Sequence, residues 1–365
     1  MRLFFQFGFS IFFLLVQTSL LATPRIINGI RAKPDNWSWI VAIISQGVVP
    51  VKGQFCGGTL IHPSWVLTAA HCADGETTSS INVLLGTNDL TDENREIIGI
   101  KRIVRHPDYD YDPETPNSDI ALLQLEKPST QPVIRIADRY TVLIQPGLDA
   151  TVMGWGATNS LSDPVYPEHL QQVTVPIVSN TQCNEHFSYA GDVKETMLCA
   201  GFADGGADAC IGDSGGPLVM KTGSGWQQVG IVSWGEGCAL PNYYGVYTRV
   251  PFFQSFMTEN ICQQADIPPS PHLEVHKDEK SVTISWNQVK ADGYQLYYAP
   301  YSKPLSNVTL DNIESLELGN RTSFNVKLTS LKVFSDQNFY VAVRAYNGNC
   351  YSDYSNLCTI MMDEL

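Results

Sequence analysis

The stretch Asp208–Pro217 reads DACIGDSGGP, and the rest of the chain is arranged to serve it. Three glycines, Gly212, Gly215 and Gly216, stand around Ser214, so the backbone here can take positive φ and approach a ligand closely. The N–H groups of Gly212 and Ser214 can then converge on one point and stabilise a developing oxyanion, beside a hydroxyl free to attack. Cys210 offers a covalent anchor for the loop. Taken alone, a serine in a glycine-rich turn is most often only a turn. The flanks and the remaining chain decide the matter.

The same residues also satisfy G-x-S-x-G, the nucleophile elbow of α/β-hydrolases, which joins a strand to a helix and finds its acid and histidine later in the chain. Here Pro217 and the apolar Leu218, Val219 and Met220 lead into a strand instead. The only histidines after Ser214 are His272 and His276, beyond a proline-rich break. Upstream, TAAHC surrounds His71 and SDIALLQL surrounds Asp119. The order is therefore His, Asp, Ser.

RIING at 25–29, CGGTLI from Cys56, TAAHC ending at Cys72, SDIALL from Ser118, GWG from Gly154, GDSGGP from Gly212 and SWGEGC from Ser233 follow one another along the chain. On these motifs the sequence resembles the trypsin-like serine proteases of the chymotrypsin family. The resemblance implies an all-β fold of two six-stranded barrels with the site in the cleft between them. In it His71 takes the proton of Ser214 and returns it to the leaving amine, while Asp119 holds the imidazole tautomer and stabilises the imidazolium. Gly212 and Ser214 supply the oxyanion hole. Ser233 is expected to bond the aspartate and to offer backbone to the substrate.

The resemblance further places Asp208 at the bottom of the primary pocket, where a buried carboxylate selects Arg or Lys, with Gly235 and Gly245 as open walls. Ala209 stands where trypsin carries serine, which favours Arg over Lys. Cutting after Arg25 would free the Ile26 amine to pair with Asp213 and order the loop, making the precursor a zymogen. Asn28 replaces the family's glycine there.

The family's calcium loop is not supported, because Thr87 stands where its first glutamate ligand belongs, although Glu93 and Glu96 follow. Tyr244 occupies a position where trypsins carry proline; it reads either as a packing aromatic or as the mark of a sodium site built from nearby carbonyls. No cofactor is required. His62, His106, His169 and His186 lack any ligand-spaced motif and read as surface or turn residues.

The formal net charge of -14 and the sequence pI near 4.8 argue against nucleic acid and anionic membranes as partners, and would steer cationic substrates. Residues 1–22 begin with Arg2, run through an apolar stretch and end on small residues near Ala22. They read as a secretory signal peptide, with an uncleaved anchor as the alternative, and point to a secreted, periplasmic or extracellular protein. Residues 23–25 would then be a short propeptide. The ending Asp363-Glu364-Leu365 lacks the basic residue of an ER-retrieval signal.

Nine cysteines in an exported chain imply disulfides. The resemblance pairs Cys56 with Cys72, Cys183 with Cys199, and Cys210 with Cys238. Of the remaining three, a local Cys350–Cys358 bridge with Cys262 free is the expectation; an interdomain bridge and a second chain are the alternatives.

Short β runs between Gly, Pro, Asn and Asp turns fill the span from Trp39 to Val250, among them 81–85, 97–104, 121–125, 172–178 and 227–232. Helical spacing marks 252–262. After this protease domain, 26–264, the stretch 265–271 with Pro268-Pro269-Ser270-Pro271 reads as a stiff extended linker. Strand patterns at 281–286, 293–299, 323–328 and 338–346 follow. Trp286, and Tyr340 in FYVAVRAYN after Leu331, make the region 272–361 resemble a fibronectin type III sandwich, with an immunoglobulin-like sandwich as the alternative. Sequons lie at Asn36, Asn307 and Asn320.

The expected function is an exported endopeptidase cutting after Arg, less well after Lys, through an acyl-enzyme. Its partners are protein substrates and a surface or protein ligand of the sandwich. The alternative is a non-catalytic homologue that binds or adheres through the sandwich; loss of a triad member would favour it, and none is lost.

Overall fold

The computed structural model describes residues 29–33, 36–112, 114–141, 143–159, 164–222, 225–301, 313–327 and 338–361, with side chains left undescribed at 300 and 301. The leader, Arg25, Ile26, Leu331 and Asn307 lie outside the described residues.

After β1 (Ile30–Arg31), six antiparallel strands close the first barrel: β2 (Ile40–Ser45), β3 (Gln54–His62), β4 (Trp65–Thr68), β5 (Ile81–Leu85), β6 (Glu96–Arg105) and β7 (Ala121–Leu125). Their ring order is β2-β3-β4-β7-β6-β5. The run IVAIIS in β2 is apolar nearly throughout and buried on both faces, as a strand flanked by packed layers must be. Ile40, Ile43, Leu60, Leu67 and Leu84 fill this core.

The chain crosses through β8 (Arg135–Ile136) into the second barrel. β9 (Asp149–Gly154), β10 (Gln171–Val178), β11 (Met197–Ala200), β12 (Pro217–Thr222), β13 (Gly225–Trp234) and β14 (Gly245–Arg249) form it. The order β10-β11-β14-β13-β12-β9 closes because β9 pairs back onto β10. Two barrels were expected, and two are present. The terminal helix starts as a 3₁₀ turn at Val250–Phe253, where Pro251 suits a first turn, and runs as Gln254–Ile261 with Phe256, Met257 and Ile261 buried.

The remaining chain makes two sheets over one core. β15 (Leu273–Lys277), β16 (Ser281–Trp286) and, after β17 (Gly293–Tyr301) and β18 (Glu314–Gly319), β19 (Ser323–Lys327) are connected so that β15-β16-β19 is one sheet. β20 (Asn338–Asn347), β21 (Cys350–Tyr351) and β22 (Cys358–Ile360) join β17 and β18 in the other. Alternate residues of β16 are buried, as a strand with one covered face requires. Trp286 meets Tyr294 edge-on at 5.7 Å between ring centres. No helix among the described residues is long and apolar enough to cross a membrane.

One cysteine expectation is corrected. Cys262 at the end of the terminal helix bonds Cys350, and Cys358 is the free thiol. The register explains it. Cys350 faces Asn347 on β20, whereas Cys358 faces Val341 on the same strand. Six residues of strand separate those partners by about 20 Å. A disulfide spans only about 4.4–6.8 Å between Cα atoms. The other three bridges, Cys56–Cys72, Cys183–Cys199 and Cys210–Cys238, are formed as expected.

The 265–271 stretch is not a free spacer. It opens in a turn, buries Pro268 and Pro271, and its Asp266 carbonyl accepts from Asn347 Nδ2. The C-terminal sheets therefore lie directly on the protease barrels. The Asn349 amide donates to the carbonyls of Ile61 and Ile134 and accepts from Ile136 N–H, at 2.7–3.0 Å. Arg135 pairs with Glu317 and stacks 3.4 Å from the centre of the Tyr346 ring. Tyr297 donates to Asp138 at 2.7 Å.

Candidate active site

β4 ends at Thr68, and the chain turns through a short 3₁₀ segment, His71–Ala73, that the Cys56–Cys72 bridge ties to β3. Asp119 comes from the loop before β7, where Ser118 takes φ of 50°. Its carboxylate is 1% exposed and fully occupied by donors. Oδ1 accepts from the His71 backbone N–H at 2.9 Å, and Oδ2 lies 2.7 Å from His71 Nδ1. The Ser233 hydroxyl, from β13, donates to the same Oδ2 at 2.6 Å, as the sequence predicted. A carboxylate facing Nδ1 keeps the proton there and leaves the Nε2 lone pair free. Burial pulls the His71 pKa down. The Asp119 hydrogen bond and the charges of Asp119 and Asp74 outweigh it, and the net shift is upward.

Ser214 lines the same cleft as His71. No hydrogen bond joins their side chains; His71 Nε2 instead lies 3.7 Å from Cys72 Sγ. Such bonds commonly tighten only when a substrate is bound. Cys56, His71 and Cys72 also gather as potential metal ligands, but the two sulfurs are spent on each other.

The loop around Ser214 has its backbone fixed from several sides. Gly57 N–H donates to the Ser214 carbonyl at 2.7 Å, and Gly215 N–H to Val232 O at 2.9 Å. Gly212 takes φ of 94° and Gly215 of 76°; a Cβ on Gly215 would run into Thr68 Oγ1 and the Gly57 carbonyl. The N–H groups of Gly212 and Ser214 find no protein acceptor among the described residues. Two free donors on one loop beside a serine hydroxyl are what an oxyanion hole requires.

Gln54 was not singled out in the sequence. Its Nε2 donates to the Gly212 carbonyl at 2.9 Å and so fixes the plane of the peptide that follows Gly212. Nothing local marks this residue; only the fold brings β3 to the loop across 158 positions.

Asp213 is completely buried. Gly156 N–H and Cys210 N–H donate to it at 2.7 and 2.9 Å. Burial pushes its pKa up to about 7, with the two N–H bonds pulling the other way. Gly154 and Gly156 are glycines of necessity, since a side chain on either would strike this carboxylate. Among the described residues no cation pairs with it.

The cleft measures about 720 Å³. Asp208, 7% exposed, lies on its floor and accepts from Ala209 N–H at 2.8 Å and Ala239 N–H at 3.2 Å. Burial dominates its pKa and raises it to about 7. A Cβ on Gly245 would stand 2.7 Å from Asp208 Oδ1 and fill the pocket, so glycine there keeps it open. Gly235 is less constrained, its nearest neighbour being Tyr189 Oη at 3.4 Å. Ala209 lines the cleft beside Asp208, and Cys210–Cys238 closes the floor. Tyr244 is buried; its hydroxyl accepts from Gln182 and its carbonyl from Tyr189, contacts that fit its reading as a packing aromatic.

The other histidines do not join the site. His106 packs edge-on against Phe253 and Phe256, and His169 lies 3.3 Å from Asp89.

Two closed barrels with such a cleft on their seam define a chymotrypsin-like serine protease architecture. The Trypsin family model matches residues 26–257, and the chain belongs to that family.

Proposed function

We propose that the protein is an exported endopeptidase that cuts peptide bonds after Arg, and less well after Lys, once cleavage after Arg25 has released Ile26. The observation that carries this reading is the buried Asp208 carboxylate, kept accessible by Gly245, in one cleft with His71 and Ser214. A guanidinium entering there meets the carboxylate with its planar fork.

In the reaction, Ser214 Oγ attacks the scissile carbonyl and gives its proton to His71 Nε2. Asp119 stabilises the imidazolium, and the oxyanion takes the N–H groups of Gly212 and Ser214. The same proton passes to the leaving amine as the C–N bond breaks, leaving an ester on Ser214. A water molecule then repeats the sequence and releases the acid. Activation rests on Asp213: a fully buried carboxylate held only by two N–H groups calls for a cation, and the Ile26 ammonium supplies one.

The C-terminal domain fits a fibronectin type III-like sandwich, a reading supported by the β15-β16-β19 sheet facing β18-β17-β20-β22. The leader and four disulfides support export. The test is the Arg25-cleaved protein incubated with peptide amides that vary only in the residue before the cut. Arg should be fastest, Lys slower and Phe or Ala negligible. Ser214→Ala should lower kcat by roughly six orders of magnitude. Near-normal turnover by that variant, or no turnover by wild type, would reject the reading.

A further inference from the structure

We propose that the cleft selects polybasic segments, taking further Lys or Arg side chains at the second to fourth positions before the cut. This rests on the Arg-directed reading above and specifies its substrate class. Four exposed carboxylates line the cleft from three separate loops: Asp112 and Glu114 ahead of Asp119, Asp192 after Cys183, and Glu236 just past Trp234. Among the described residues no Lys or Arg lines it. The nearest cation in sequence, Lys194, spends its ammonium on the Gly191 carbonyl at 3.1 Å and forms no ion pair with Asp192. Asp112 is held as an anion by the backbone N–H groups of Glu114 and Thr115.

The floor gives an independent sign that a donor-rich ligand enters here. Tyr247 is 1% exposed, lines the cleft, and its hydroxyl has no hydrogen-bond partner among the described residues. That hydroxyl and Asp208 Oδ1 face one space: a Cβ added to Gly245 would lie 3.1 Å from the first and 2.7 Å from the second. A side chain that inserts there as the residue before the cut carries its neighbours into the same cleft, which the four carboxylates line.

The rim acids are exposed, so each contributes modestly, about 1.5- to 5-fold for one matched charge. Acting together in a cleft of one sign they also concentrate cationic ligands, an effect that salt screens. Two added basic residues should raise kcat/KM about tenfold at low ionic strength.

The experiment measures kcat/KM of the Arg25-cleaved protein on Ala-Ala-Ala-Arg amide. It is compared with amides in which Arg replaces Ala at each upstream position singly and in pairs, and with a Glu series as counterpart. The basic series should gain about tenfold, the Glu series should lose, and the gain should shrink in high salt. The paired variants Asp112→Asn/Glu114→Gln and Asp192→Asn/Glu236→Gln should each pull the basic-to-Ala ratio toward one. Efficient cleavage of every Arg amide with a ratio of one in wild type would overturn the polybasic inference and leave the Arg reading standing. Failure to cleave any Arg amide would overturn both.

Discussion

At the scale of single residues, two of the site's buried carboxyl groups, Asp119 and Asp208, have different partners and different consequences. Asp119 is saturated by three donors, whereas Asp208 has two backbone N–H groups and a pKa pushed up to about 7 by burial. Below that pH Asp208 takes up a proton and loses its attraction for a guanidinium. His71, its own pKa raised above the ordinary imidazole value, also takes up a proton as pH falls and loses its capacity as a base. Both changes act in one direction, so kcat/KM on Arg amides should fall as pH drops through 7, with a limiting slope approaching about two. In the bound complex the guanidinium keeps Asp208 ionised, so kcat should fall with a slope of about one. Matching slopes of one, measured between about pH 5 and 8, would show that Asp208 is ionised throughout. Ala209, next to it, sets a second expectation. Its methyl group offers no acceptor to a lysine ammonium, while arginine reaches Asp208 with its own fork. Ala209→Ser should raise kcat/KM for Lys amides about tenfold and leave Arg amides nearly unchanged. No gain for Lys would remove Ala209 from the account of specificity.

At the scale of elements, the loop 208–217 acts as a unit because its ends are tied and its middle is glycine. Cys210–Cys238 holds one end, β12 takes over at Pro217, and the Asp213 carboxylate reaches back to Gly156 and Cys210. On the proposed activation, the uncut precursor would have no Ile26 amine to offer that carboxylate. Arg25→Gln should therefore yield a folded precursor with a small fraction of the activity of cleaved wild type. Equal rates on an Arg amide would show that Asp213 does not need the ammonium. Much of this element was legible from the residues, because glycines, cysteines and the serine must sit at fixed offsets in a tight loop. The strands were legible to within a residue or two at their ends, as at Glu96–Arg105 and Gln171–Val178. Gln54 was not, since its partner lies in the other half of the chain and any polar residue suits a half-buried strand end. The Cys262–Cys350 bridge was hidden for a like reason: the register of β21 and β22 along β20 keeps Cys350 and Cys358 apart, while sequence spacing favoured the nearer cysteine.

At the scale of the whole molecule, the C-terminal domain is an integral support of the barrels. Asn349 is 3% exposed and satisfies two carbonyls and one N–H that belong to the protease, Ile61 O, Ile134 O and Ile136 N. Those groups flank the crossing from the first barrel to the second, near Arg135, whose guanidinium rests against Tyr346 and Glu317. None of them touches Asp119, His71 or Ser214, so the support acts on stability and leaves the chemistry alone. Asn349→Ala removes the amide and strands all three backbone groups, each at a cost of about 1–3 kcal/mol. The expected loss is about 3 kcal/mol or more, and for a chain of this size Tm should fall by about 4 °C or more. Opening the bridge with Cys262→Ser and Cys350→Ser frees a segment of 88 residues, worth about 4.6 kcal/mol on the chain-entropy view. The two effects arise from different terms, a desolvation cost in the folded state and a freedom gained in the unfolded one, and each should appear without the other. A protein ending near Ala265 loses the dock altogether and opens to water the barrel surface that Asn349 and its neighbours cover. It should be hard to recover folded, yet any folded fraction should hydrolyse a small Arg amide with the kcat of the full chain. Thermal melts and single-substrate kinetics on the same preparations separate these claims. A Tm unchanged in Asn349→Ala would show that the dock carries no stability, and a lowered kcat in that folded variant would show that the domain reaches the active site after all.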